Sequence, residues 1–249
     1  MSGHSKWATI KRKKGKTDAK RGQIFTKVTK ELTLAAKAGG GDPVGNARLR
    51  AAVAKAKAVN LPKDKIDIAI RKGTGEEAGG EIYEAMYEGY APGGVAILVE
   101  AATENKNRTV AEIRHLLSKN GGSMGEAGCV AWMFEKKGLF SFDGAKYTED
   151  QLLEVGLEAG AEDVVADGAD FEVRTAPEDF TKVQKVFDDK GFKYENAELT
   201  MSPKNLVPVD AEVGRKVLSL MEILEDSDDV QAVHVNADFP DDLMQELEG

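Results

Sequence analysis

Residues 170–201, "DFEVRTAPEDFTKVQKVFDDKGFKYENAELTM", decide the fold class of this chain. The segments "FEVRT" and "FKYENAELTM" are rich in the β-branched and aromatic residues typical of strands. Between them, the apolar residues recur at helical spacing from Pro177, which suits a first helical turn, to Gly191, which ends the helix. The stretch therefore predicts a strand, a helix and a second strand.

The residues just before this stretch repeat the pattern. "LFSF" at 139–142 predicts a strand, and a capping box from Thr148 to Gln151 opens a helix that ends at Gly160. "DVVA" at 163–166 predicts another strand. Together the two halves give the order βαββαβ, which is the ferredoxin-like pattern.

Further strands and a helix precede this unit. "IYEAMYEGY" at 82–90 and "VAILVEA" at 95–101 predict two strands joined by a turn. A capping box beginning at Thr109 predicts a helix, and "CVAWMF" at 129–134 predicts a third strand.

The end of the chain supplies the elements that this region lacks. Asp210 is placed to cap a long helix, and "VQAVHV" at 230–235 predicts a last strand. The acidic tail after Phe239 is expected to fray. The middle unit is therefore expected to be inserted into a discontinuous α/β domain.

The first third of the chain predicts helices. Asp18 or Thr17 caps a helix to about Ala38, Asp42 with Pro43 starts a second, and Pro62 starts a third that Gly73 ends. Residues 1–16 have no apolar periodicity, so they are expected to form an arm.

The predicted fold class is α+β and multidomain. A basic three-helix domain with its arm covers residues 1–78. Two ferredoxin-like α/β domains follow, one discontinuous over 79–137 plus 204–249 and the other inserted at 138–203.

Charge is divided unevenly along the chain. Residues 1–72 hold 19 Lys and Arg against 5 Asp and Glu, a net charge of +14. Since the whole chain has a formal charge of −9, residues 73–249 have a net charge of −23. Such asymmetry favours a nucleic-acid-binding segment over a merely solvated basic face. A basic start also fits a transit peptide, although few serines and early helical signals argue against one.

Catalytic and metal-binding patterns are missing from the sequence. It has three histidines and one cysteine, and no HExxH or CxxC pair. "KKGKT" lacks the first glycine and the preceding strand of a phosphate-binding loop. We therefore expect no enzyme, no metal site and no cofactor. Cytoplasmic localisation fits the single Cys129 and the absence of a membrane-length apolar run.

Nucleic-acid contacts are expected from the basic helices and the arm, because lysines and arginines neutralise phosphates. Trp7 either stacks on an unpaired base or anchors the arm on the protein. Arg108 lies in the loop "TENKNRT", where Asn107 and Thr109 are expected to cap the following helix. The proposed contacts are Lys6, Trp7, Lys11, Arg12, Lys13, Lys14, Lys16, Lys20, Arg21, Lys27, Lys30, Arg48, Arg50, Lys55, Lys57, Arg71, Lys72 and Arg108.

Four long stretches in the first 138 residues resemble the YebC/PmpR family. They are "GHSKWATIKRKKGKTDAKRGQIFTK" (3–27), "NLPKDKIDIAIRKGTG" (60–75), "YEGYAPGGVAILVEAATENKNRT" (87–109) and "GGSMGEAGCVAWMFEKKG" (121–138). The resemblance implies three domains and a probable transcriptional regulator that binds promoter DNA. Related members, including the mitochondrial translational activator of cytochrome oxidase, imply a translation factor instead.

The sequence thus predicts a nucleic-acid-binding regulator of gene expression, with DNA as the expected target. The alternative is a ribosome-associated factor that binds ribosomal RNA and relieves stalling on difficult sequences such as proline runs. A scaffold whose basic face meets an acidic protein is a further possibility. No membrane partner is expected, and the oligomeric state is left open with a monomer as the expectation.

Overall fold

The computed structural model describes residues 18–248, which form eight α-helices and ten strands. In chain order they are α1 (Asp18–Gly39), α2 (Ala47–Ala58), α3 (Lys63–Thr74), β1 (Tyr83–Tyr90), β2 (Ala96–Thr103), α4 (Lys106–Lys119), β3 (Ser123–Met124), β4 (Phe134–Phe142), α5 (Glu149–Ala159), β5 (Ala161–Asp167), β6 (Asp170–Thr175), α6 (Phe180–Asp189), β7 (Asn196–Pro203), β8 (Val207–Pro208), α7 (Ala211–Glu225), β9 (Val230–Val235), β10 (Ala237–Asp238) and α8 (Asp241–Glu248).

Helices α1, α2 and α3 form a bundle with its own apolar core. Leu32, Leu49 and Ala69 are fully buried there. The cap of α2 differs from the prediction: Asn46 rather than Asp42 accepts the hydrogen bond from a backbone N–H, that of Leu49, at 3.0 Å. Asp42 instead accepts from Val44 N–H in a turn. Helix α3 also runs past the predicted end and is capped by Gly75.

The first sheet is antiparallel, with the strand order β3-β1-β2-β9. Helices α4 and α7 cover one of its faces, and Ile113, Leu117 and Leu220 are buried against Ile97 and Val233. Strand β9 matches its predicted limits, and Asp210 caps α7 as expected by accepting a hydrogen bond from Val213 N–H. The last part of the chain closes this layer.

The second sheet has the order β5-β6-β4-β7, with antiparallel neighbours, and helices α5 and α6 pack on one face. Counted from its own first strand, this is the 4-1-3-2 order of a ferredoxin-like sheet. The predicted capping box of Thr148 and Gln151 is present. The unit lies in the chain between β3 and α7, so the fold class is α+β with one α/β unit inserted in another.

Strand β4 runs without a break from Phe134 to Phe142, so the predicted domain limit at 137/138 lies within a strand. The limits of the domains stay a prediction. The prediction of a strand at "CVAWMF" was wrong, because Ala131–Met133 form a short 3-10 helix. The carboxylate of Glu88 accepts the backbone N–H groups of Gly128, Val130 and Ala131, which a strand would use in its ladder.

The C-terminal tail is ordered, contrary to the prediction that it frays. Leu243 and Met244 of α8 are buried in the core of the first sheet. A Cβ at Gly214 of α7 would lie 2.6 Å from a methyl group of Leu243, so a glycine allows this close approach. Three apolar residues, Leu243, Met244 and Leu247, in a short acidic tail were too weak a signal to predict this packing.

Candidate nucleic-acid interface

Part of the predicted contact surface lies outside the described residues. This is the arm, with Lys6, Trp7, Lys11, Arg12, Lys13, Lys14 and Lys16. Lys20 belongs to the first turn of α1, where only the backbone is described. The remaining predicted contacts divide into an exposed group and a group already engaged in the protein.

The exposed group gathers at one end of the bundle. Helix α2 starts beside the end of α1, because Asn46 donates to the carbonyl of Ala35, and it therefore runs back toward the start of α1. Helix α3 starts there too, since Lys65 Nζ lies 6.0 Å from the ring centroid of Phe25. We call the exposed cations at these three helix ends the basic end: Arg21, Lys55, Lys57, Lys63 and Lys65.

The basic end carries an excess of exposed positive charge. Arg21 lies over the ring of Phe25, with its guanidinium carbon 5.5 Å from the ring centroid. Among the side chains that the structure describes, those of residues 21–166 and 168–247, no carboxylate forms an ion pair with Lys55, Lys57 or Lys63. Asp64 is also exposed here, so the charge is positive but not uniform. Helix α1 begins at the same end, at Asp18.

Sequence reasoning did not include Lys63 and Lys65 among the contacts. The signal was present, because Pro62 predicted that α3 would start there and its first turn would be solvated. The sequence did not show that these lysines lie near Arg21, because only the packing of α3 beside α1 brings them together.

Several other predicted contacts are engaged within or beside the bundle. Arg48 binds both carboxylate oxygens of Glu31, at 2.8 and 3.0 Å, and Glu84 Oε1 at 2.6 Å. The Glu31 hydrogen bond raises the pKa of Arg48, burial opposes this, and Glu84 raises it further. Arg50 donates to the carbonyls of Pro43 and Val44.

The last residues of α3 are less occupied. Arg71 pairs with Glu77 at 3.2 Å, and both side chains are solvated. Such a pair costs little to break. Lys72 is exposed beside Gly79, so both cations are available to a ligand at this second end of the bundle.

Two more predicted contacts, Lys27 and Lys30, face the end of α7. Lys27 donates to the carbonyl of Glu225, Gln23 donates to that of Asp226 at 2.9 Å, and Lys30 donates to that of Asp228 at 2.9 Å. A helix C-terminus carries unpaired carbonyls and a negative dipole end, which lysines stabilise. We call this contact between α1 and the end of α7 the joint.

Asp229 is the centre of the joint. Its nearly buried carboxylate accepts from Lys30 at 2.6 Å, from Arg108 at 2.6 Å, and from the hydroxyls of Thr109 at 2.7 Å and Thr103 at 3.1 Å. Burial alone would raise its pKa, but the hydrogen bonds from Lys30, Arg108 and Thr109 outweigh burial and hold the pKa well below the ordinary aspartate value.

Arg108 therefore has a structural partner as well as an exposed guanidinium. The predicted capping box at Thr109 was wrong, since α4 begins at Lys106 and its cap is Asn105, which accepts from Arg108 N–H at 3.1 Å. Thr109 is buried and used by Asp229 instead. Asp229 itself had no sequence signal, because its partners are distant in the chain.

The lowered pKa of Asp229 predicts how stability depends on pH. The stabilisation is present above about pH 4, the ordinary aspartate pKa, and is lost as the pH falls through the lower pKa of the folded state. At pH 7 the free energy of unfolding of the Asp229→Asn variant should be about 1–2 kcal/mol lower than that of the unchanged protein. This difference in stability should narrow as the pH falls, which urea unfolding across a pH series would measure. A gap that stays constant to about pH 2 would contradict this role.

Within residues 18–248, the buried histidine is His234 of β9. His234 lies between Glu100, at 3.2 Å, and Thr200, at 3.3 Å. Thr200 and His234 are both buried, so the hydroxyl is not presented to a substrate. Among residues 18–248, no three His, Cys, Asp or Glu side chains cluster as a metal site. No helix in that range is long and apolar enough to cross a membrane.

Comparisons with known proteins cover nearly the whole chain. A family model described as the TACO1/YebC protein N-terminal domain matches residues 5–76, and one described as the TACO1/YebC second and third domain matches residues 82–237. A protein of Maridesulfovibrio salexigens is 66% identical over 248 residues, and one of Dictyoglomus thermophilum is 54% identical over 248 residues.

Those alignments cover 100% of this chain and of the first protein, and 99% of this chain and 100% of the second. Both are named "Probable transcriptional regulatory protein". Among solved structures, a conserved hypothetical protein from Aquifex aeolicus is 41% identical, with a TM-score of 0.80, covering 90% of this chain and 93% of that one. Sequence and fold therefore agree on one family.

Proposed function

Because this chain belongs to the TACO1/YebC family, we propose that it is a nucleic-acid-binding regulator of gene expression that binds DNA through its basic N-terminal region. The names of its relatives support a transcriptional regulator. The observation that carries the proposal is the basic end, where five exposed cations gather at the point where the basic arm joins α1.

The basic end favours phosphate contacts that do not depend on base sequence. Lysines act as point charges toward phosphate, and binding releases counterions from the nucleic acid. The link between α2 and α3 is only four residues long, from 59 to 62, so Lys55 and Lys57 at the end of α2 stay close to Lys63 and Lys65 at the start of α3. Such a compact group of cations suits the closely spaced phosphates of a duplex, which supports DNA as the target.

The second candidate is a ribosome-associated translation factor that binds ribosomal RNA. The arm favours it, because a basic segment with an aromatic residue suits unpaired bases that stack on a ring. Loops and bulges of folded RNA offer such unpaired bases. The target nucleic acid is thus the point on which the two candidates differ.

A comparison of Trp7→Ala with the unchanged protein tests the target. If Trp7 stacks on a base, the variant should lose about 10-fold in affinity for a single-stranded RNA of about 20 nucleotides and much less for a duplex DNA of equal length. Fluorescence anisotropy between about 50 and about 200 mM salt measures both affinities.

The same titration decides between the candidates. Tighter binding of duplex DNA by the unchanged protein supports the transcriptional role, and tighter binding of single-stranded RNA supports the translational one. Equal losses on both ligands, together with a lower melting temperature, would show that Trp7 anchors the arm. Binding of neither ligand at low salt would refute the proposal.

A further inference from the structure

Polar side chains make much of the contact between the bundle and the rest of the protein, although Leu34 of α1, on the same helix face as Lys27 and Lys30, is buried as well. We call residues 83–248 the body. The buried apolar core of the bundle is made of residues from α1 to α3, and that of the first sheet is made of residues from 91 onward. In the described chain neither of these two cores extends across the contact. Polar contacts of this kind resemble transient interfaces, and they permit relative motion of domains.

In this contact the bundle supplies the hydrogen-bond donors, most of them positively charged, and the body supplies the acceptors. Bundle donors Gln23, Lys27 and Lys30 meet acceptors at the end of α7, and Arg48 meets Glu84 of β1. Positive side chains on the bundle thus face carbonyls and carboxylates of the body. The same charges divide the sequence, with a net +14 in residues 1–72 and −23 in the remainder.

This chemistry is the chemistry of phosphate binding. Lys30, held by the carboxylate of Asp229 and the carbonyl oxygen of Asp228, has oxygen partners of the kind that phosphates would supply. The body therefore occupies cations of α1 that a nucleic acid would otherwise attract. Lys27 and Lys30 were predicted as phosphate contacts for their charge, and the structure places them where another anion competes for them.

Separation at the joint would leave no isolated buried charge. If Lys30 withdraws, the carboxylate of Asp229 keeps Arg108, Thr109 and Thr103, all of which belong to the body. Lys30 would become solvated. The usual heavy cost of stripping one partner from a buried ion pair is therefore reduced.

We propose that the joint is a latch that polyanions open. In the free protein the end of α7 and Asp229 hold α1, and a phosphate backbone replaces these acceptors, which releases the bundle and recruits Lys27 and Lys30 as additional contacts. For its physiological ligand this inference rests on the proposed function. The occupant of the released α1 face is a nucleic-acid backbone, which its positive charge fits.

A distance measurement on the full chain tests the latch. Spin labels are placed on Ala54→Cys in α2 and Ser118→Cys in α4, both exposed, in a Cys129→Ser background. Pulsed electron resonance should show one narrow distance in the free protein. A saturating single-stranded RNA, duplex DNA or inorganic polyphosphate should add a population at longer distance.

A matched pair of variants isolates Asp229. Asp229→Asn should show the longer population without any ligand, and its affinity for nucleic acid should rise about 3- to 10-fold at low salt, with a steeper salt dependence. Asp228→Asn makes the same change in net charge at an exposed neighbour whose backbone alone enters the joint, so it should behave like the unchanged protein. Lys30→Ala, which leaves the body intact, should also open the latch.

The outcomes separate the latch from the proposed function. Nucleic acid that binds without changing the distance leaves the function standing and overturns the latch. Opening by polyphosphate, in a protein that binds neither RNA nor DNA, supports the latch and refutes the function. A narrow, unchanged distance in both Asp229→Asn and Lys30→Ala would also overturn the latch, even if Asp229→Asn alone were too unstable to study.

Discussion

Replacing four lysines of the basic end with alanine is expected to lower nucleic-acid affinity about 100-fold at low salt. The lysines are Lys55, Lys57, Lys63 and Lys65, all exposed. Each phosphate contact contributes a slope of about −0.9 in a plot of log affinity against log salt for duplex DNA and about −0.7 for single strands. The variant should therefore lose about three units of slope, which anisotropy titrations between about 50 and about 200 mM salt would measure.

A control with the same change in net charge makes this result specific. Lys137, Lys146, Lys190 and Lys216 lie on the α/β units and are each paired with a nearby carboxylate. Replacing these four by alanine should change the affinity less than about 3-fold and leave the slope unchanged. Equal losses in both quadruple variants would show that net charge alone governs binding, and that the basic end is not a contact surface.

Gly73→Ala is expected to destabilise the bundle by about 2–3 kcal/mol, although alanine has the higher helix propensity. A Cβ at this position of α3 would lie 2.4 Å from the carbonyl oxygen of Thr33 and 2.7 Å from the Cβ of Ala36. Both atoms belong to α1, whose backbone would have to move away from α3. Thermal unfolding should show the loss as a lower melting temperature than that of the unchanged protein.

Gly22→Ala is the matched control, since Gly22 also lies in a helix of the bundle. No atom lies within 4 Å of a Cβ built there. The higher helix propensity of alanine should then decide the result, and the free energy of unfolding should rise by up to about 1 kcal/mol. If Gly73→Ala were as stable as Gly22→Ala, the close approach of α1 and α3 would not be required for the bundle.

Local signals in the sequence predicted much of the fold. The capping box at Thr148, the cap at Asp210 and the limits of β9 are all observed, because each depends on residues a few positions apart. The βαββαβ order of the inserted unit is observed for the same reason. Patterns of this kind fix an element wherever tertiary contacts agree with them.

Other local signals were overridden by distant partners. Thr109 has the sequence of a cap, but the buried carboxylate of Asp229 binds its hydroxyl and Asn105 caps the helix instead. "CVAWMF" has the composition of a strand, but Glu88 binds three of the nearby N–H groups. In both places a carboxylate more than 35 residues away offered charge-assisted hydrogen bonds, which outweigh a neutral local alternative.

The sequence by itself determined the family, the order of helices and strands, and the division of charge into a basic start and an acidic remainder. Only the tertiary structure decided which cations are exposed and which are engaged. Lys30 and Lys57 look alike in the sequence, but Lys30 pairs with a residue 199 positions away and Lys57 is exposed. The reason is physical: charge is a property of each residue, whereas its availability depends on the neighbours that folding brings within hydrogen-bonding distance.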